Sequence, residues 1–332
     1  MTEIQIHRFC VAPMMDGTDR HCRYFHRLMT RHARLYTEMI VAEAAVFGDR
    51  ERHLGFDDCE HPLALQLGGS DPAMMARAAE ASVAFGYDEV NLNVGCPSDR
   101  VKAGTFGACL MQTPQIVADC IAAMKAVVDV PVTVKCRIGV DNQDPEESLS
   151  NLIELAVAAG CTTFIVHARK AWLQGLSPKE NREIPPLDYG LVARMKARWP
   201  ALTIVLNGGI GTINEARGHL DTFDGVMLGR AAYGTPGILR DVDRVMFGSK
   251  NSPPVLGEIV QAMDSYTRRH VEQGGSAHHV VRHMIGLMHG RPGARGWRRR
   301  LTEQGTKTPA NILQLAWNEI QKERADATAP AL

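Results

Sequence analysis

The chain has 332 residues, 45% of them hydrophobic and 22% charged, an ordinary globular balance with ample material for a core. Its 37 Lys+Arg match 37 Asp+Glu, and that length suggests two domains or one large α/β barrel with an appendage. No apolar run reaches the roughly 18 uncharged residues that a transmembrane helix needs, so a membrane protein of that kind is excluded.

The N-terminal MTEIQIHRF has no apolar segment behind a basic start, so no secretory signal is expected and the chain is read as cytoplasmic. From there short β-branched runs alternate with Ala-rich helical stretches. The runs fall at 9–12 (FCVA), 35–37 (LYT), 63–67 (LALQL), 89–94 (EVNLNV), 132–137 (VTVKCR), 163–167 (TFIVH), 203–206 (TIVL) and 225–228 (GVML). Segments such as 72–85 and 114–128 have helical spacing and good helix formers. Eight strands joined by crossovers predict a (β/α)8 TIM barrel. A doubly wound sheet would carry a Gly-rich fingerprint at its first strand–helix turn, and Pro13-Met14-Met15-Asp16-Gly17-Thr18 has none.

Composition changes near Phe247, and 248–254 (GSKNSPP) reads as a linker. Beyond it amphipathic patterns predict helices at 256–273, 277–289 and 309–324, with a turn-rich 290–300 between the last two. The expected organisation is a catalytic barrel over 1–247 and a small all-helical domain over 248–332. The neutral total hides an asymmetry: 25 Lys+Arg against 30 Asp+Glu in the first segment, 12 against 7 in the second. A basic tail suits a polyanionic partner, although a solvated helix surface would give the same count.

In a barrel, chemistry sits on the loops after the strands. This sequence places there Pro13-Met14-Met15, Glu38, Gln66, Asn91, Asn93, Cys96, Lys135, Arg137, His167, Arg169, Asn207-Gly208-Gly209 and Gly229-Arg230. Each alone has a structural reading, as a turn, a barrel-layer amide or a buried histidine. Together they converge on one mouth. The glycine turns after strands 7 and 8 suit a phosphate, which backbone N–H groups can approach closely, and Arg230 adds a charge. Lys135, His167 and Gln66 suit the polar edge of a heterocycle. With no carboxylate pair and no metal ligands, flavin mononucleotide (FMN) fits better than a sugar phosphate.

Cys96 follows strand 4 in Asn91-Leu92-Asn93-Val94-Gly95-Cys96-Pro97, ahead of a Gly-rich loop at 103–107 (AGTFG). No base lies in a local motif with it, so a general acid is a better reading than a nucleophile. Eight cysteines without a C-x-x-C pair argue against a disulfide scaffold and the common zinc patterns. The other seven (Cys10, Cys22, Cys59, Cys109, Cys120, Cys136, Cys161) read as packing residues.

Ala12-Pro13-Met14, Gln66-Leu67, the 91–97 run, Lys135-Cys136-Arg137, His167-Ala168-Arg169, Asn207-Gly208-Gly209 and Gly229-Arg230 together resemble the tRNA-dihydrouridine synthases. The resemblance covers nearly the whole chain. Residues 167–189 (HARKAWLQGLSPKENREIPPLDY) and 292–301 (PGARGWRRRL) are close to the bacterial A-type subfamily.

The resemblance implies FMN in the mouth, NADPH as reductant and the D-loop uridines 20 and 20a of tRNA as substrate. Pro13, Met14 and Met15 would line the flavin, and Gln66, Lys135 and His167 would contact its ring or ribityl chain. Asn207, Gly208, Gly209, Gly229 and Arg230 would hold its phosphate. Hydride would pass from flavin N5 to C6 of an extruded uracil while Cys96 protonates C5. Asn93 would hold the uracil, with Asn93, Lys135 and Arg169 as donors to the charge on O4. The tRNA would meet Lys179, Asn181 and Arg182 after strand 6, with Trp172 as a stacking candidate. In the tail it would meet Arg295, Arg298 and Arg299. No obligatory protein partner is expected, and a monomer is. Rival readings are an FMN barrel acting on a free pyrimidine or enone, a tRNA-binding factor without activity, and a sugar-phosphate isomerase. Only the first two keep a flavin, and only the tRNA readings use the basic tail.

Overall fold

The computed structural model describes residues 6–98, 106–303 and 308–328, so residues 103–105 of the Gly-rich loop lie outside the described residues. Eight parallel strands close into a barrel in chain order. They are β1 (Phe9–Val11), β2 (Arg34–Val41), β3 (Leu63–Gly68), β4 (Glu89–Val94), β5 (Val132–Arg137), β6 (Thr163–His167), β7 (Thr203–Asn207) and β8 (Gly225–Leu228). The expected (β/α)8 barrel is therefore the fold. β2 is longer than its β-branched run suggested. After a register shift past Tyr36 it continues to pair through Met39↔Gln66 and Val41↔Gly68, which puts Glu38 inside the strand rather than at its end.

Local signals set the crossover helices. Asp71 caps Pro72–Phe85 by accepting from Met74 N, and proline opens the first turn. Asp144 caps Pro145–Ala158 in the same way, accepting from the N–H groups of Glu146 and Glu147.

The barrel interior is divided. Cys10, Ala12, Tyr36, Ala64, Ile165, Val205 and Met227 form one buried apolar cluster. The strand period of two turns Glu89, Asn91 and Asn93 of β4 to one face. Glu89 is fully buried and held on four sides. It accepts from Tyr36 Oη (2.7 Å) and Thr133 Oγ1 (2.6 Å) on one oxygen, and meets Arg34 Nη1 (2.9 Å) and His7 Nε2 (2.7 Å) on the other. Burial opposes its charge, but His7, Arg34 and Thr133 more than offset this and bring its pKa down to about 2.

The chain forms two compact units: Met1–Thr18 with Ala33–Gly229, and Asp19–His32 with Arg230–Leu332. This differs from a division at the 248–254 linker. The segment after β1, with its helix Arg20–Arg27, groups with the C-terminal residues because its polar ends are satisfied there. Asp243 accepts from Thr30 Oγ1 (2.5 Å) and from the N–H groups of Arg31 (2.8 Å) and His32 (3.2 Å). Asp19 pairs with Arg282 Nη2 (2.6 Å) and with His283 Nε2 (3.0 Å). Burial opposes the Asp19 charge, yet its bond with His283 holds the carboxyl well below the usual range.

Helix Leu256–Glu272 lies where the pattern placed it. The next is shorter than expected, Ala277–Val281 followed by a 3-10 turn at Arg282–Met284. Arg282 and His283 of that turn both reach Asp19. The stretch expected to be turn-rich holds a helix, Ala294–Thr302, anchored by buried Trp297 and Leu301 one turn apart. Trp297 Nε1 donates to Met284 O at 2.8 Å. The last helix is Ile312–Thr328. Among the described residues no helix is long and apolar enough to cross a membrane.

Candidate active site

The expected site residues at the strand ends share the inward face of the barrel. Gln66 stands opposite Asn91, Asn93 opposite Lys135, Arg137 opposite His167, and His167 opposite Asn207. They meet because strand alternation and barrel register put them in adjacent positions.

One polar chain climbs from Glu89 to this level. An ionised carboxylate only accepts, so Thr133 must donate to it. Thr133 Oγ1 then accepts from Asn91 Nδ2 at 2.8 Å, and Asn91 Oδ1 accepts from Gln66 Nε2 at 2.7 Å. Gln66 Oε1 accepts from Asn93 Nδ2 at 2.8 Å. Asn93 Oδ1 finally accepts from the N–H groups of Gly95 and Cys96, both at 3.0 Å. Both ends fix the direction of every amide between them. Gln66 keeps one amide hydrogen and one oxygen lone pair beyond these bonds, and Asn93 keeps one amide hydrogen.

Cys96 is half-buried, and its Sγ lies 3.5 Å from Ser98 Oγ. Its carbonyl accepts from Ala108 N (2.9 Å), so the residue is held on both sides by its backbone. Lys135 has its pKa pushed down to about 8, first by burial and then by the charge of Arg137. Arg137, lowered by burial to about 10, donates to Gly95 O (3.0 Å), Lys170 O (3.0 Å) and Asn181 O (2.8 Å). It thereby clamps the loop carrying Cys96 to the loop after β6.

Asn207 Nδ2 donates to Met227 O (2.7 Å), and the two glycines after it take left-handed backbone angles, φ +112° and +75°. A β-carbon on Gly208 would stand 2.6 Å from the His167 ring, so only glycine lets the turn lie against that imidazole. Tyr189 Oη braces the same turn by donating to Gly208 O at 2.5 Å. Gly229 sits beside Met14, whose Sδ would be 3.6 Å from a β-carbon there. Pro13 and Met14 are half-buried and Met15 is 49% exposed. Arg230 is exposed and begins the short helix Arg230–Gly234.

The loop after β6 corrects one expectation. Asn181 is fully buried, and its amide accepts from Trp172 N (2.7 Å) and donates to Trp172 O (2.9 Å) and Leu176 O (3.1 Å). It organises the loop and has no surface to offer a substrate. Its neighbours Lys179 and Arg182 are exposed, and Trp172 is 38% exposed. Arg169 donates through Nη1 to the carbonyls of Glu183 and Pro185, which makes it a loop brace as well. In the helical unit Arg295, Arg298 and Arg299 are all exposed. Arg299 approaches Glu303 (3.5 Å) and Glu319 (3.8 Å), while Arg295 and Arg298 have no ion pair among the described residues.

Sequence reasoning missed Glu89, Thr133 and the clamping role of Arg137. A carboxylate opening a strand otherwise made of Val, Asn and Leu was the available signal for Glu89. Of the cysteines expected to pack, Cys59 is exposed and Cys109 is intermediate. Burial pushes the thiols of Cys120, Cys136 and Cys161 up to about 12.

An eight-stranded parallel barrel that brings amides, a lysine, a histidine, a half-buried thiol and two glycine turns to its strand ends has the architecture of a barrel enzyme, with these residues as its candidate site. The dihydrouridine synthase (Dus) family model matches residues 10–324, and the chain belongs to that family of oxidoreductases. It is 56% identical to the tRNA-dihydrouridine(20/20a) synthase of Escherichia coli K12 over 96% of this chain and 92% of the relative. The Shewanella oneidensis protein of the same name is 54% identical over 95% and 94%. That of Xanthomonas campestris is 54% identical over 97% and 95%. Among solved structures, morphinone reductase matches with a TM-score of 0.52 at 13% identity, covering 76% of this chain and 88% of that one. An old yellow enzyme homologue from Zymomonas mobilis has the same score and identity, over 76% and 92%. At that identity the likeness is one of fold.

Proposed function

We propose that the protein reduces the C5=C6 bond of uridines 20 and 20a in the D-loop of tRNA, using FMN and NADPH, in the cytoplasm. The observation that carries this reading is the polar chain ending on the Cys96 backbone, on the same inward face as Lys135, His167 and the Gly208-Gly209 turn. Relatives more than half identical over nearly the whole chain are named for this activity.

The residues present fit a flavin nucleotide. The Gly208-Gly209 turn keeps its α-carbons bare, and Gly229 and Arg230 follow the neighbouring strand. Together they would hold the phosphate. Gln66, Lys135 and His167 would meet the ring and ribityl oxygens, with Pro13, Met14 and Met15 against the ring face. FMN held there would supply the hydride for C6 of the uracil, with NADPH as the source of its electrons.

The protein's own groups do the rest. Hydride addition leaves enolate charge on O4, and the remaining N–H of Asn93 and the Lys135 ammonium are the donors suited to it. Cys96 gives its Sγ proton to C5, completing the addition of one hydride and one proton across the double bond. Asn93 fixes where that thiol stands through the backbone of Cys96. The base must leave its stack to reach the mouth, and Lys179, Arg182 and Trp172, which are exposed, would receive the nucleotides around it. Arg295, Arg298 and Arg299 supply phosphate contacts.

The test is an anaerobic flavin absorbance trace. The purified protein is reduced with NADPH and then given unmodified tRNA in one experiment and free uridine in another. Reoxidation by tRNA alone is the expected result. Reoxidation by both or by neither sinks the tRNA reading, and a protein that takes up no FMN sinks the flavin assignment.

A further inference from the structure

The helical unit holds a cluster that this chemistry does not use. His21 lies on helix Arg20–Arg27, His270 near the end of Leu256–Glu272, and His279 on Ala277–Val281. One ring nitrogen from each lies within 4.8 Å of the other two. We propose that these three imidazoles bind a divalent transition-metal ion of the zinc class, stapling the three helices together.

Distances carry the argument. His270 Nε2 and His279 Nδ1 are 3.4 Å apart, long for a hydrogen bond. Two nitrogens each about 2.0–2.1 Å from one tetrahedral zinc lie about 3.3–3.4 Å apart. The His21 and His270 rings stand edge to face with centroids 4.4 Å apart. His21 Nδ1 is bonded to Tyr266 Oη at 2.8 Å, which leaves its Nε2 for the ion. A ligating histidine held through its second nitrogen is the usual outer-shell arrangement, and it fixes the tautomer. Tyr266 is itself positioned by stacking on Tyr24, with centroids 4.2 Å apart.

The turn before His279 is shaped around the cluster. A β-carbon on Gly275 would lie 2.2 Å from His270 Nε2 and 2.3 Å from its Cε1, over the ring face, so only glycine lets this turn pack against that imidazole. His21 is largely buried, His270 is intermediate and His279 is exposed, so the cluster is open on one side for an ion to enter. Three protein ligands leave a fourth position for water or an anion. Because such a site exists only in the folded chain, binding the ion also stabilises the unit.

The experiment uses the full chain, stripped with a chelator and titrated with zinc chloride by calorimetry, with X-ray absorption at the zinc edge on the loaded protein. One zinc per chain with imidazole nitrogens at about 2.0–2.1 Å is expected. His270→Ala and His279→Ala each weaken binding by more than about 100-fold. Tyr266→Phe, which keeps the stacking on Tyr24, weakens it by about 10–100-fold. His289→Ala, an exposed histidine of the same unit, leaves it unchanged. No stoichiometric zinc, a shell without imidazole, or an equal loss in His289→Ala overturns the proposal.

Discussion

Asn93 holds Cys96 through its backbone: Asn93 Oδ1 accepts from Cys96 N at 3.0 Å and from Gly95 N at the same distance. The thiol to which we assign the proton transfer is therefore placed by an amide one strand residue below the loop. Asn93→Ala removes that acceptor and leaves two N–H groups without their partner. Reduced protein should then lose on the order of 100-fold in its rate of reoxidation by tRNA, the cost of a misplaced reacting group. Flavin content should stay as in the wild type. Stopped-flow absorbance measures the rate, and an unchanged rate removes Asn93 from the placement of Cys96.

Cys96→Ala should keep bound flavin and NADPH oxidation while tRNA uridine stays unreduced. Loss of a positioned general acid costs about 100- to 10,000-fold. Mass spectrometry of digested tRNA gives the product and the visible spectrum gives the cofactor. Loss of flavin in this variant would show that Cys96 has a structural task instead.

Glu89 makes a prediction about acid. Its folded pKa, about 2, lies below the ordinary glutamate value of 4.5. The folded state thus binds this proton more weakly than the unfolded chain. The stabilisation is complete above about 4.5, falls as the pH drops, and is gone below about 2. Glu89→Gln removes the charge facing Arg34 and His7 and should cost about 3–5 kcal/mol at neutral pH. It should also flatten the loss of stability between pH 4.5 and 2 relative to the wild type. Urea denaturation at several pH values checks both, and parallel curves for the two proteins would refute the assignment.

In the helical unit, Arg298→Ala should weaken tRNA binding more than Arg299→Ala. Arg299 already faces Glu303 and Glu319, whereas Arg298 has no ion pair among the described residues. Each lost phosphate contact should reduce the slope of log affinity against log salt by about 1. Filter binding across a salt series reads this directly, and equal slopes for wild type and Arg298→Ala would move the tRNA surface elsewhere.

Lys135 adds a dependence on alkali. With its pKa lowered from 10.5 to about 8 by burial, it loses its charge as pH rises through 8. The folded form releases this proton before the unfolded chain does, so this residue's contribution to stability rises between pH 8 and 10.5. Donation to a developing oxyanion fades as the pH passes about 8. Reoxidation by tRNA should fall above pH 8 in the wild type, and Lys135→Met should be slow at every pH.

Much of this structure was legible in the sequence, for identifiable reasons. β4, β5, β6 and β8 start and stop where their runs do, because each keeps a buried apolar residue at every second position. Gln66, Asn93, Lys135, His167 and Asn207 were visible as polar residues near strand ends. The chain from Glu89 through Thr133 and Asn91 was not, since it crosses three strands and only barrel register brings its members together. Asn181 looked like a surface amide because its partners are backbone carbonyls, which leave no trace in composition. The helix at Ala294–Thr302 was masked by its flanking glycines and its arginines, and Trp297 was the one clue to a buried face.

The grouping of residues 19–32 with the C-terminal unit bears on how the protein is made. Asp19 leaves the ribosome early, yet its partner Arg282 follows 263 residues later. His21 and Tyr266 are 245 residues apart, and Thr30 and Asp243 are 213. A nascent chain halted anywhere before residue 266 carries an acidic cap and a buried histidine whose mates Arg282 and Tyr266 have not been translated. The segment after β1 is thus a promise kept only by the final quarter of the chain. A fragment cut at the 248–254 linker would leave Asp19 without Arg282 and His283 and His21 without Tyr266, and the excised tail would lack helix Arg20–Arg27.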